Sequence, residues 1–417
     1  LWASSKTISI ASPINFNPCV SASLRLCARL PPVSPSHRMK IRRIQLDSVK
    51  VPARPDSINS PEFDKPLHML AYGGKTEWSL QFDEIPKWII QITLDNGVFG
   101  LGESYRGLPA EQMKSFANTL VGLDLSKINI QALPLPYGRV YDGFECAIVD
   151  AYARCHDVSV SDLLGGRYRD KVYCSFWTGH RTIKDAARKA KEGQDAGYDC
   201  IKFKCSADDP VTAWCGAVKD ACGPDFQIIL DPNQRFEDVP TAFRMAQELA
   251  EVGNVRCLED PIARWDIESL AHLRQRIEIP IALHISLPYN EMGYQHITDI
   301  LRAVKLDACD YFNFNGGLYN VSKMATIAEL IRKPYWHGSE VDLGILEASY
   351  LHQCAASKEA LLPSDIFGRM IREHDLLKTP LKFENSYGTV PEGPGLGVEL
   401  DQEALTHYGQ ETWSTES

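Results

Sequence analysis

The chain has 417 residues, 44% hydrophobic and 24% charged, enough for a large buried core and for more than one ordinary compact domain. Its formal net charge of −10 excludes the basic footprint of a protein that tracks nucleic-acid phosphates. No uninterrupted apolar run reaches the roughly 18 residues of a membrane-crossing helix, so no membrane partner is expected.

From Leu1 to Leu46 there is no Asp or Glu, while Lys6, Arg25, Arg29, Arg38, Lys40, Arg42 and Arg43 are basic and Ser is frequent. That is the composition of an organelle transit peptide. The alternative is that the natural protein begins at Met39, where a strand-like run to Leu46 opens. On either reading residues 1–38 stand outside the fold, and the protein is cytoplasmic, or mitochondrial if the extension is a true targeting signal. The twelve cysteines are scattered singly, with no CxxC pair and no zinc-spaced Cys/His cluster, which reads as reduced, buried thiols.

Past Met39 the pattern is strand-rich. A long polar loop, from about Pro55 to Trp78, carries His68, Tyr72 and paired glycines, a length that marks functional or disordered segments. Trp88 to Thr93 is a hydrophobic run, Asp95-Asn96-Gly97 a turn signal, and Val98 to Glu103 the return, which predicts a β-hairpin. Residues 110–157 read as helices, most clearly Gly143–His156, where Ala147, Ile148, Ala151 and Tyr152 recur at helical spacing.

After Leu163-Leu164-Gly165-Gly166 short apolar strands alternate with amphipathic helices. The predicted strands are Val172–Trp177, Cys200–Lys204, Gln227–Asp231, Val255–Glu259, Ile279–His284, Cys309–Asn315 and Pro334–His337, with a last short one near Ile366. Helices are predicted at Ile183–Ala196, Thr212–Ala221, Pro240–Val252, Ile267–Arg276, Val321–Arg332 and Leu343–Ala356. Such alternation means a parallel sheet, and seven or eight units mean a TIM-like (β/α) barrel. The rival, an open doubly wound sheet, would carry a Gly-rich phosphate fingerprint after its first strand, and none is present. The Gly/Pro-rich tail from Pro391 to Asp401 is expected to pack back on the N-terminal α+β domain. The chain is therefore read as an α/β protein: an extension over 1–38, an α+β domain over 39–160, the barrel over 161–370, and a C-terminal segment over 371–417 that completes the α+β domain.

Polar residues recur where the barrel strands stop: Lys202 and Lys204, Asp231 and Asn233, Glu259 and Asp260, His284 and Ser286, Asn313 and Asn315, His337 and Glu340. In such barrels the C-terminal rim gathers catalytic groups, because the strands fix position while the loops are free. Asp231 and Glu259 on adjacent strands, with a third donor from the next, supply hard oxygen ligands for a cation such as Mg²⁺. Lys202 and Lys204 stand two apart on one strand and share a face. Two ammonium groups held together repel, which makes one of them a usable base near neutral pH.

These motifs, with Gly-Leu-Gly-Glu103, Ala147-Ile-Val-Asp150, Leu230-Asp-Pro-Asn233, Leu258-Glu-Asp-Pro261 and the Gly-Pro-Gly-Leu-Gly397 tail, resemble the mandelate racemase/muconate lactonizing branch of the enolase superfamily over nearly all of 39–417. The resemblance implies Asp231 and Glu259 as metal ligands, Lys204 as the base that takes an α-proton, and Lys202 as the neighbour that tunes it. It also implies Asn233 as a polar contact to the substrate, and a capping domain whose loop near His68 and Tyr72 sets substrate choice. The resemblance also implies that the chain assembles as a homo-oligomer.

The pattern is broken in two places. Where the family carries a third acidic ligand the chain has His284, expected either to bind the metal and shift preference towards Mn²⁺ or another softer divalent cation, or to contact substrate or water. Where most members carry a second acid/base the chain has Asn315, an amide that shuttles no protons. His337 is expected to be the partner acid, against the alternative of a rim histidine packed beside Trp336. The expected function is removal of the α-proton of a small carboxylate, leading to dehydration of a hydroxy or sugar acid. The alternatives are racemisation, epimerisation or cycloisomerisation, and a barrel that has lost turnover and binds a ligand.

Overall fold

Alternating burial along the first strands sets one sheet face against helices. In the computed structural model, which describes residues 39–62, 83–286 and 297–417, β1 (Ile41–Pro52), β2 (Glu84–Leu94) and β3 (Phe99–Glu103) run antiparallel. The predicted hairpin joins β2 to β3 through Asp95-Asn96-Gly97, with Gly97 at φ 86°. After α1 (Ala110–Leu120), α2 (Tyr141–Cys155) lies so close on β3 that a Cβ at Gly102 would overlap the Gly143 carbonyl. Ile44, Leu46, Ile90, Ile92, Phe144 and Ile148 fill this interface. Each such side chain contributes about 1.5–3 kcal/mol when fully buried. The stretch that holds His68 and Tyr72 lies outside the described residues.

A short α3 (Val160–Leu163), held by a Ser159–Asp162 capping box, leads to the barrel. The strand expected over Val172–Trp177 is two strands. Its first half, β4 (Lys171–Tyr173), joins a separate antiparallel sheet, and its second, β5 (Phe176–Thr178), opens the barrel. There follow α4 (Ile183–Asp195), β6 (Cys200–Lys204), α5 (Val211–Cys222), β7 (Gln227–Asp231), α6 (Val239–Val252), β8 (Val255–Glu259), α7 (Ile267–Arg274) and β9 (Ile281–Ser286). Then come α8 (Thr298–Leu306), β10 (Tyr311–Asn315), α9 (Leu318–Ile331), β11 (Tyr335–His337) and α10 (Gly344–Ala355). No helix was predicted where α8 lies; Ile297 at its N-cap makes no side-chain cap, and it buries just Ile300 and Ala303, so its signal is weak.

The seven parallel strands are ordered β11-β10-β9-β8-β7-β6-β5. No regular eighth strand forms near Ile366, where the chain makes an isolated bridge between Ser364 and Cys174. The ring is closed instead by single bonds: Ser364 N–H to Tyr173 O at 2.8 Å, Ser175 N–H to Ser364 O at 3.2 Å, and Asp365 N–H to His337 O at 2.9 Å.

The two faces of the strands separate by the period of two. Cys200, Ile229, Cys257, Ala282 and Trp336 pack together inside the barrel. Ile201, Phe203, Ile228, Leu230, Leu283, Phe312, Phe314 and Tyr335 belong to the large core shared with the surrounding helices. Beyond α11 (Gly368–Ile371), β12 (Phe383–Glu384) and β13 (Tyr387–Thr389) complete the small sheet with β4. After α12 (Gln402–Tyr408), β14 (Gly409–Glu416) pairs antiparallel with β1.

Candidate active site and metal centre

The inner face that carries Cys200, Ile229 and Cys257 turns polar towards the strand ends. On β6 it presents Lys202 and Lys204, on β7 Asp231, on β8 Glu259, on β9 His284, and on β10 Asn313 and Asn315. Lys202 is sealed in: its side chain is 2% exposed, and Nζ lies 2.5 Å from Glu259 Oε2, 2.6 Å from Asp365 Oδ2 and 3.1 Å from Asp231 Oδ2. Burial opposes its charge, but the carboxylates of Asp231, Asp365 and Glu259 hold its pKa well above the ordinary lysine value. The expectation that repulsion within the pair turns a lysine into a base therefore does not apply to Lys202, because three carboxylates outweigh one neighbouring ammonium.

Lys204 is different. It keeps 15% of its side-chain exposure, and Nζ donates to Asp231 Oδ2 at 2.5 Å and to Asn233 Oδ1 at 2.7 Å. Both ammonium groups touch the same oxygen, Asp231 Oδ2, so each feels the other's charge. Against burial, Lys202 and Lys204 together hold Asp231 well below the usual carboxylate range. Asn233 follows β7 at φ 45°, and Asp260 follows β8 at φ 45°. Left-handed non-glycine residues at two neighbouring strand ends are strained positions of the kind that cluster at functional sites.

The donors fit a divalent cation. Glu259, Asp260 and His284 bring ligand atoms within 4.8 Å of one another. Burial, with the charges of Arg264 and Lys202, holds His284 well below the ordinary histidine pKa, so at neutral pH its imidazole is uncharged and offers a lone pair. Burial and the Asp231 carboxylate push Glu259 up, against the pull of Lys202. Asp260, also pushed up by burial, pairs with Arg264 at 2.7 Å and accepts the His284 backbone N–H at 2.9 Å, so it positions the imidazole as much as it offers a ligand.

Sequence reasoning missed several contributors. Asn313, named only among the polar strand ends and given no role, donates Nδ2 to Glu259 Oε1 at 2.8 Å, and Asp365, which ends no predicted strand, pairs with Lys202. At Gly338 a Cβ would meet Asn313 Oδ1 at 2.7 Å and His284 Nε2 at 3.1 Å, so glycine there leaves room for both.

His337 is not brought to the lysines. The register pairs Asn313 with Trp336 and Phe314 with His337, which puts His337 on the outer face with Phe314. It stacks on Tyr350 of α10 at 4.0 Å, its Nδ1 sits 2.6 Å from Gly338 O, and burial lowers its pKa to about 4. A barrel strand presents alternate residues inward, and the inward one here is Trp336. The partner-acid expectation for His337 is corrected accordingly. Asn315 does face inward, but its side chain meets Tyr105 Oη at 3.3 Å and Glu340 Oε1 at 3.4 Å rather than the lysines.

Residues 185–404 match the family model described as enolase C-terminal domain-like. The chain belongs to the enolase superfamily. Within it, its branch is the mandelate racemase/muconate lactonizing family, whose members similar to this chain are enzymes. Chloromuconate cycloisomerase of Cupriavidus pinatubonensis is 25% identical over 349 residues, 77% of this chain and 91% of that protein. N-succinyl-L-Arg/Lys racemase of Bacillus cereus is 23% identical over 397 residues, 88% of this chain and 97% of that protein. The crystal structure of a Bacillus cereus N-succinyl Arg/Lys racemase shares the fold at a TM-score of 0.76 and 21% identity, covering 91% of this chain and 100% of that one. A dipeptide epimerase from Cytophaga hutchinsonii, complexed with Mg and D-Ala-L-Val, does so at 0.75 and 19% identity, covering 90% and 100%.

Proposed function

We propose that this superfamily member uses Lys204 to remove the α-proton of a small hydroxy or sugar acid, with a divalent cation required, and that loss of a β-hydroxyl as water follows. The observation that carries the reading is that, of two lysines sharing the Asp231 carboxylate at the barrel's rim, Lys204 is the one with exposure left to meet a substrate.

An α-proton beside a carboxylate is barely acidic, so the base and the developing charge both need help. A cation held by Glu259 and His284, with Asp260 or the neighbouring Asp231 as the third donor, would supply Lewis-acid stabilisation of the negative charge that develops on the substrate. Mg²⁺ suits the two carboxylates, and the imidazole moves the preference towards Mn²⁺. Lys202, held two residues away on the same face by three carboxylates, shares the Asp231 oxygen with Lys204 and so helps fix where the Lys204 nitrogen sits. Asn233, which accepts from Lys204 Nζ, aims that nitrogen. The second reading, inversion or cycloisomerisation of another carboxylate, is supported by the activities of the racemase and cycloisomerase relatives.

The full chain, with Mg²⁺ or Mn²⁺, is to be incubated in D₂O with a panel of sugar acids and α-hydroxy acids. A released 2-keto-3-deoxy acid supports dehydration. Deuterium at the α-carbon with the molecule otherwise intact supports inversion, and no exchange with any acid leaves a ligand-binding barrel. Lys204→Ala is expected to abolish exchange while calorimetry still records metal binding; exchange that survives removes Lys204 from the role of base.

A further inference from the structure

With His337 turned outward and Asn315 unable to carry a proton, the barrel needs another acid across from Lys204. In a ring of seven strands closed by the Ser364 segment, β6 and β10 are four places apart and face each other across the barrel. Lys204 ends β6 and Asn315 ends β10. The side chain that reaches Asn315 from the loop after β11 is Glu340, whose Oε1 lies 3.4 Å from Asn315 Nδ2. We propose that Glu340 is the acid that works against Lys204, delivering a proton from its carboxyl to the substrate's departing β-hydroxyl; this rests on the reading of Lys204 given above.

The loop that carries Glu340 is pinned rather than loose. Arg106 Nε, from the turn after β3, donates to the Glu340 carbonyl at 3.0 Å. The Glu340 N–H donates to Asp342 Oδ2 at 2.8 Å, Ser339 Oγ donates to the same oxygen at 2.8 Å, and the buried Lys87 of β2 donates to Asp342 Oδ1 at 2.7 Å. Glu340 is half-buried while Asp342 is buried, so of the loop's two acids Glu340 is the one that keeps exposure. The charged groups facing it are Arg139 and Arg106 from the segment between β3 and α2, Lys87 from β2, and Asp342 from its own loop. Burial and Asp342 raise its pKa to about 8 against the pull of the two arginines and Lys87, so it holds a proton at neutral pH.

The step balances. Lys204 takes the α-proton, the C–H electron pair becomes a C=C bond, and the β-carbon–oxygen bond breaks. The departing hydroxide takes the Glu340 proton and leaves as water; the enol that remains tautomerises to the 2-keto acid. Lys204 then loses its proton to solvent and Glu340 regains one.

Glu340→Gln keeps the amide-sized side chain and removes the proton. In the full chain with Mn²⁺, and with whichever sugar or hydroxy acid the wild type dehydrates, release of keto acid should fall by ~10²–10⁴-fold, the usual weight of a general acid. Deuterium exchange at the α-carbon should persist within about threefold, since that step does not use the Glu340 proton. Glu340→Asp, which keeps the carboxyl but withdraws it, should lose product release by about tenfold or more with exchange intact, and serves if the Gln variant folds poorly. The wild-type minus Glu340→Gln infrared difference should show a protonated carboxyl below pH 8 that disappears above it. Product release unchanged in Glu340→Gln, or exchange and release lost together in a folded variant, overturns the assignment while leaving Lys204 in place. A wild type that exchanges no α-proton overturns both.

Discussion

Replacing Lys202 with Met keeps the side chain's length and deletes its charge. The missing ammonium is the one that contacts Glu259 at 2.5 Å, Asp365 at 2.6 Å and Asp231 at 3.1 Å. Three carboxylates would then converge in a buried site, with Lys204 left to pair with Asp231. Deleting one partner of a buried ion pair costs ~3–5 kcal/mol, because the other charge stays buried without compensation. For the compact unit Arg38–Ser417, with an unfolding entropy of about 2.1 cal/mol/K per residue, each kcal/mol lowers Tm by ~1.2 °C, so a fall of ~4–6 °C is expected in calorimetry at neutral pH without divalent ions. The dependence on pH follows from the directions of the shifts. In the wild type Asp231 is depressed, so its contribution is present above the ordinary carboxylate pKa and lost as pH falls through the lowered value. Lys202 is raised, so its contribution is present below the ordinary lysine pKa and lost as pH climbs through the raised one. The variant lacks the Lys202 contribution and the part of Asp231's that Lys202 supplies, so its deficit should be largest between about pH 5 and pH 10 and shrink on acidification. Asp365→Asn in the Lys202→Met background should recover ~1–3 kcal/mol through the shared contact. A Tm loss under ~2 °C, or a deficit that widens on acidification, would refute a charged, compensating Lys202.

If His284 is a ligand, His284→Ala should weaken Mn²⁺ binding by at least ~10–100-fold, the loss seen even for outer partners of a metal. His284→Asp should move preference from Mn²⁺ towards Mg²⁺, and equal affinities in all three proteins exclude His284 from the coordinating set. Gly338→Ala puts a methyl group against Asn313 Oδ1 and His284 Nε2 and should lower metal affinity with little change in Tm; an unaltered affinity means the site has slack. His337, lowered from 6.5 to about 4, contributes stability that is present above pH 6.5 and lost towards pH 4. The slope between is about 1.4 kcal/mol per pH unit. His337→Gln should remove that slope and leave the pH profile of α-proton exchange alone; an altered profile would return His337 to the site.

Much of the barrel was legible because its signal is local. Runs such as Cys200–Lys204 and Gln227–Asp231, each followed by a helix, carry the strand period and the crossover in themselves. Where pairing rather than propensity decided, the reading failed. Val172–Trp177 is one apolar run, yet its halves join different sheets, because β13 reaches Tyr173 from more than two hundred residues downstream. The closing segment at Ser364 makes single bonds that no periodicity announces.

The site divides along the same line. Lys202, Lys204, Asp231, Glu259 and Asn233 could be found from sequence because each ends a recognisable strand, and two residues on one strand share a face by geometry alone. Which lysine is sealed and which meets solvent depends on Asp365, which comes 163 residues after Lys202. Whether His337 or Trp336 points inward depends on register with β10, and a shift of one residue exchanges the faces. Residue identity and spacing thus determined the fold class and the list of reactive groups. The orientation of each group, its burial and the charges around it came from contacts between distant segments, which exist only once the barrel has closed.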